Sequence, residues 1–75
     1  ADYNRALELD PNYADAYYYR GILYASVPEG VDARQRALND FQHYLDLAPD
    51  GQHAADAARY LAEIQAQLDA LDAAS

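Results

Sequence analysis

Cysteine, methionine, lysine and threonine are absent from this 75-residue chain, and valine and isoleucine occur twice each. Without cysteine there is no disulfide framework, zinc–thiolate cluster or thiol nucleophile. Without an initiator methionine or a targeting segment, the chain reads as an excerpt of something longer. No run of about 18 apolar residues exists to span a membrane. Without lysine, five arginines stand against thirteen acidic residues, a net charge of −8. That field repels nucleic acid and anionic bilayers, whose binding depends on basic patches, and leaves a basic or neutral polypeptide as the open class of partner. The scarcity of β-branched residues leaves little material for strands. The length suffices for one small domain, which buries only about 60% of its unfolded surface.

What is present is helical material. Ala, Leu, Arg, Gln and Glu, all good helix formers, fill the segments between three short polar stretches at Asp10–Asn12, Ser26–Gly30 and Pro49–Gly51. Each stretch holds a proline (Pro11, Pro28, Pro49), which lacks the amide donor of a helix interior and disfavours helix in the residue before it. The pattern predicts an all-α chain of four helices over about 1–9, 13–26, 31–48 and 52–72. Tyr17, Gly21 and Tyr24 form one stripe of the second segment, Ala37, Phe41, Tyr44 and Ala48 one of the third, and Ala57, Leu61, Ile64, Leu68 and Leu71 one of the fourth. Asn12 is the expected start signal of the second helix, Asp32 with Gln35 resembles a capping box, and Asp50 can cap the fourth. Connections of two to six residues force neighbours to run antiparallel.

The chain also resembles itself. Tyr3 to Asn12 reads Y-N-R-A-L-E-L-D-P-N and Phe41 to Asp50 reads F-Q-H-Y-L-D-L-A-P-D, matching aromatic to aromatic, Leu7 to Leu45, Leu9 to Leu47 and Pro11 to Pro49 at an offset of 38 residues. Such an offset lies in the range of helical solenoids. These residues resemble the tetratricopeptide repeat, a helix–turn–helix unit: Tyr17, Gly21 and Tyr24 match the aromatic, glycine and tyrosine positions of its first helix. Ala37, Phe41 and Pro49 match the small, aromatic and proline positions of its second. The likeness covers about residues 1–51 and implies a helix–turn–helix repeat fold. Residues 1–12 would be the second helix of a preceding, truncated unit, 13–51 one full hairpin, and 52–75 a capping helix with a frayed tail from Ala73 to Ser75. Gly21 and Ala37 permit close helix approach, and the large rings fill the space the small residues leave.

Three departures qualify the likeness. Four extra residues lie between Tyr24 and Ala37, around Pro28 and Gly30, and lengthen the inter-helix turn. Tyr44 stands where the family usually has alanine, and the shallow surface of Ala54, Ala55, Ala57 and Ala58 is the expected receptacle for its ring. Arg59 stands near where a further repeat would carry glycine. Asp69, Asp72 and Gln67 can face water, as suits the end of a stack. The wording of Asp50 to Ile64 resembles bacterial members of the family.

Function in this family resides on a concave surface lined by first helices, and the resemblance puts Asp15, Tyr18, Ile22 and Ala25 on that groove. Tyr18 offers a flat amphipathic face and Ile22 an apolar one, which suit an extended peptide or a partner helix. Alternatively, Tyr18 and Ile22 pack against the first helix or the insertion loop. The lysine–asparagine clamp with which some members grip a terminal carboxylate is not carried over, since there is no lysine and Asn12 and Asn39 lie off that face. The resemblance therefore implies a protein-interaction scaffold with a polypeptide partner. A self-assembling structural element is the alternative, because the flank of Tyr3, Leu7 and Leu9 lacks a cover and one and a half units fall short of the roughly three that a stable stack needs.

Other chemistries have little to stand on. The eight tyrosines suggest a stacking platform, but most have packing explanations and single-stranded nucleic acid would need a cationic groove. His43 has Asp40 and Asp46 a turn to each side, and His53 has Asp50 and Asp56. That spacing permits a divalent site, yet no recognised metal motif joins these residues, and solvated histidines are expected. Arg5, Arg20, Arg34, Arg36 and Arg59 are expected to pair with surface acids. No phosphate loop, nucleophile motif or paired-carboxylate spacing is present. The sequence thus assigns no catalytic, metal or cofactor residues, and no enzymatic role to this segment.

Overall fold

A computed structural model describes residues 3–10, 12–26 and 30–74. Four helices account for them: α1 (Tyr3–Leu9), α2 (Ala14–Ala25), α3 (Val31–Leu47) and α4 (Ala54–Ala74). The all-α class and the helix order agree with the pattern of breaks. Pro11, Pro28 and Ser75, and the side chain of Tyr3, lie outside the described residues.

The expected starts are displaced. Tyr13 rather than Asn12 is the N-cap of α2, with no side-chain cap, and the Asn12 backbone N–H donates to Asp10 Oδ1 at 3.1 Å in an Asx turn. Gly30 occupies the N-cap of α3, which puts Asp32 inside the first turn as a favourable charge against the helix dipole rather than as a cap. α4 begins at Ala54, four residues beyond Asp50 and out of N-cap position. Between them Gly51 N–H bonds to the Ala48 carbonyl and Ala54 N–H to the Gly51 carbonyl, so consecutive turns carry the chain from α3 into α4. At the other end, α4 continues to Ala74 instead of fraying from Ala73.

Each helix packs on its neighbour in the chain: α1 on α2, α2 on α3, and α3 on α4. The pairs Tyr17–His43, Arg20–Asp40, Gly21–Phe41 and Tyr24–Arg36 run in opposite senses along α2 and α3, which are therefore antiparallel. Phe41–Tyr60 and Arg34–Gln67 establish the same for α3 and α4. The helices form a slab of 39 × 24 × 15 Å.

Small residues face rings at the α2–α3 contact. A Cβ on Gly21 would stand 3.1 Å from Phe41 Cε1 and Cζ and 3.3 Å from Asp40 Cβ, tighter than ordinary contact. Ala37 and Phe41 have no solvent exposure, and Tyr44 has 1%. The receptacle for Tyr44 is narrower than the alanine run suggests. Ala57 is fully buried with it and Ala54 is half-buried, whereas Ala55 and Ala58 are exposed, since a helix turns only one stripe inward. The Tyr44 hydroxyl accepts the His53 N–H at 2.8 Å, and it occupies the space a Cβ on Gly51 would need. Gly51 thus serves close approach, not a left-handed backbone.

Candidate functional site

The four residues expected on the groove share one stripe of α2 but not one environment. Asp15 is exposed, and Ile22 and Ala25 are half-buried against the core. Tyr18 is only 5% exposed. Its ring stacks on His53 (centroids 4.2 Å apart, planes 6° off parallel) and meets Phe41, Tyr44 and Tyr60 at 5.9, 5.6 and 6.4 Å. Tyr18 is therefore a core side chain rather than an open contact surface. Its ring partners Phe41, Tyr44, His53 and Tyr60 lie on α3, on α4 and in the turn between them. Burial, assisted by the negative charge of Asp56, raises its phenol above the usual value.

The ring that does meet solvent beside that stripe is Tyr19, 39% exposed, whose hydroxyl is hydrogen-bonded to His53 Nε2 at 3.3 Å. Nothing in the sequence marks Tyr19 above its two neighbours, because His53, which orients it, is 34 residues away.

On the other side of the hairpin, Arg20 forms a two-pronged pair with Asp40, Nε to Oδ2 at 2.9 Å and Nη2 to Oδ1 at 2.7 Å. The carboxylate is nearly buried, with 4% of its side chain accessible against 25% for Arg20. This corrects the expectation of a surface pair: Asp40 lies one turn from Ala37 and beside Phe41, on the inward stripe of α3. The remaining arm of Arg20 donates to Asn4 Oδ1 at 3.1 Å, so one guanidinium links α1, α2 and α3. Its centre also stands 5.6 Å from the Tyr17 ring centroid and 5.8 Å from that of Tyr24. The hydrogen bonds it donates to Asp40 hold the guanidinium even more firmly charged than usual. Arg59, by contrast, makes the expected exposed pair, with Asp56 at 3.6 Å.

The histidine–carboxylate spacings do not become ligand sets. Asp40 is committed to Arg20, while His43 stacks on Tyr17 at 5.0 Å and its Nδ1 donates to the Asn39 carbonyl. His53 is sandwiched with Tyr18. Among the described residues no group of three or more His, Asp or Glu side chains is placed to hold a metal ion, and no helix is long and apolar enough to cross a membrane.

Comparison with known proteins bears on the repeat. A family model described as TPR repeat matches residues 1–27, that is, α1, the Pro11 break and α2. Residues 1–27 carry tetratricopeptide repeat sequence. Over 52 residues, 69% of its length, it is 40% identical to the UDP-N-acetylglucosamine–peptide N-acetylglucosaminyltransferase of Giardia intestinalis, of which the aligned stretch spans 3%. That relative is not a bacterial protein. No solved structure matches the chain. Tetratricopeptide repeats generally mediate protein–protein interaction.

Proposed function

We propose that this segment is a non-catalytic protein-interaction module in which α2–α3 (13–51) form one full repeat unit, α1 is the second helix of a preceding unit and α4 is a cap. Its docking groove runs along the accessible part of the α2 stripe, at Asp15, Ile22 and Ala25, with Tyr18 as the rigid floor beneath. The partner is a polypeptide, either an extended peptide or a helix. The observation that carries this reading is the state of α2: its back is fixed against α3 through Gly21 and Arg20, while Asp15, Ile22 and Ala25 retain accessible surface. A stripe held rigid from behind and open in front loses little entropy when a ligand lies on it.

The test is selection of binding peptides from a displayed random library, followed by measurement on two variants. Ile22→Glu places a charge on the groove, and Ala62→Glu does so on an exposed part of α4. Peptides selected on the natural chain should lose at least about tenfold in affinity for Ile22→Glu and keep it for Ala62→Glu. Equal binding to all three chains contradicts the groove. Light scattering addresses the self-assembly alternative, to which the 75% exposure of Leu9 lends support: a concentration-dependent rise in mass that Leu9→Ser abolishes would favour it.

A further inference from the structure

A second groove lies away from the α2 stripe, where the first turns of α3 pass the last turns of α4. It encloses about 470 Å³. Leu38 and Leu68 form its half-buried floor, and Val31 and Leu71, each 47% exposed, form its walls. Asp69 and Asp72 stand on the α4 rim, with Gln35 and Gln65 as the neutral remainder. Gln65 Nε2 donates to Asp69 Oδ1 at 3.0 Å, which turns that carboxylate along the rim. Arg34 sits on the adjoining flank beyond Leu71, where its Nε donates to Gln67 and bridges the two helices at 3.1 Å.

Four aliphatic side chains between two antiparallel helices are the complement of one amphipathic helix laid into the channel with anchors at i, i+3 or i+4, and i+7. Charge selects among helices. The rim carboxylates and the net charge of −8 oppose an acidic helix and the approach of a second, equally acidic copy of this chain, and favour a helix flanked by Lys or Arg. We infer that the α3–α4 groove is a docking site for a basic amphipathic helix of a partner protein, independent of the α2 groove proposed above.

A synthetic helical peptide with leucines at i, i+3, i+4 and i+7 and lysines on both flanks is the probe, with the same peptide carrying glutamates as its counterpart. Fluorescence anisotropy with the 75-residue chain should show saturable binding of the basic peptide and at least about tenfold weaker binding of the acidic one. Raising salt to about 0.5 M should weaken the complex without abolishing it, because the leucine contacts are not screened. Val31→Ser with Leu71→Ser, two exposed walls whose loss leaves the core intact, should cost the basic peptide about tenfold. Ile22→Glu should leave its affinity unchanged. Binding that survives Val31→Ser/Leu71→Ser would reduce the effect to a diffuse field of negative charge and overturn the site. A self-associated chain whose mass falls with Leu71→Ser and which ignores the basic peptide would give the groove to a second copy and overturn it equally.

Discussion

Arg20 carries more of this fold than its place in a polar–aromatic run suggests. Its guanidinium satisfies both oxygens of a carboxylate that water barely reaches and holds Asn4 on α1. Removing one member of such a pair leaves the other desolvated, whereas replacing both with apolar groups relieves the penalty. Arg20→Met should therefore lower stability by about 3–5 kcal/mol. Arg20→Met combined with Asp40→Leu should recover much of that loss, a coupling that denaturant titration of the four chains reads directly. Tyr18 gives a second handle at this scale. Its phenol titrates above the ordinary value near 10, so around and above pH 10 the unfolded chain releases a proton that the folded chain retains. Stability from this group is fully present below that value and declines as pH rises beyond it. Tyr18→Phe should flatten the alkaline fall of the denaturation midpoint relative to the natural chain, and an identical slope in both would remove Tyr18 as its source.

The helices themselves were legible because their determinants are local. Three prolines and the turn residues around them bound the segments, and stripes of apolar residues assign an inward face to α2, α3 and α4. Their first residues were not: α2 starts one residue further on, with Tyr13 at its N-cap, and Gly30 stands at the N-cap of α3 ahead of Asp32, neither making a side-chain cap that a sequence pattern could mark. The alanine run of α4 shows both results together. Its role against Tyr44 follows from composition, but which alanine receives the ring depends on the angle at which α4 leaves the turn, and that is fixed by the contact of Tyr44 with His53 and Gly51. Ala57→Leu should overpack the α3–α4 contact and cost about 1–3 kcal/mol. Ala58→Leu, one residue on and exposed, should change stability by less than about 0.5 kcal/mol. Similar losses for both variants, measured by thermal unfolding, would mean that α4 is rotated from the position described.

At the scale of the whole molecule the chain is a layer of helices joined in sequence order. Its elongated body measures 39 Å by 24 Å by 15 Å. Repeat architecture was readable from the spacing of Tyr17, Gly21, Tyr24, Ala37 and Phe41, because each residue answers a size requirement of the helix opposite. The proposed α2 groove was readable only in part. Tyr18 belongs to the same stripe as Asp15 and Ile22, yet the turn carrying His53 folds over it, a tertiary event with no mark in the local pattern. The buried state of Asp40 was equally hidden, since its partner lies 20 residues earlier on another helix.

The meeting of Gly21 with Phe41 underlies the hairpin, the family assignment of its positions and the rigidity of α2. Equilibrium denaturation of Gly21→Leu tests it most directly, because helix propensity and packing act with opposite signs. On an exposed helix face the substitution should gain roughly 0.5–1 kcal/mol. With ring atoms of Phe41 3.1 Å from where the first added carbon must go, the account predicts a loss of about 3 kcal/mol or more, beyond the usual range for an overpacked core. A midpoint unchanged or raised would contradict it.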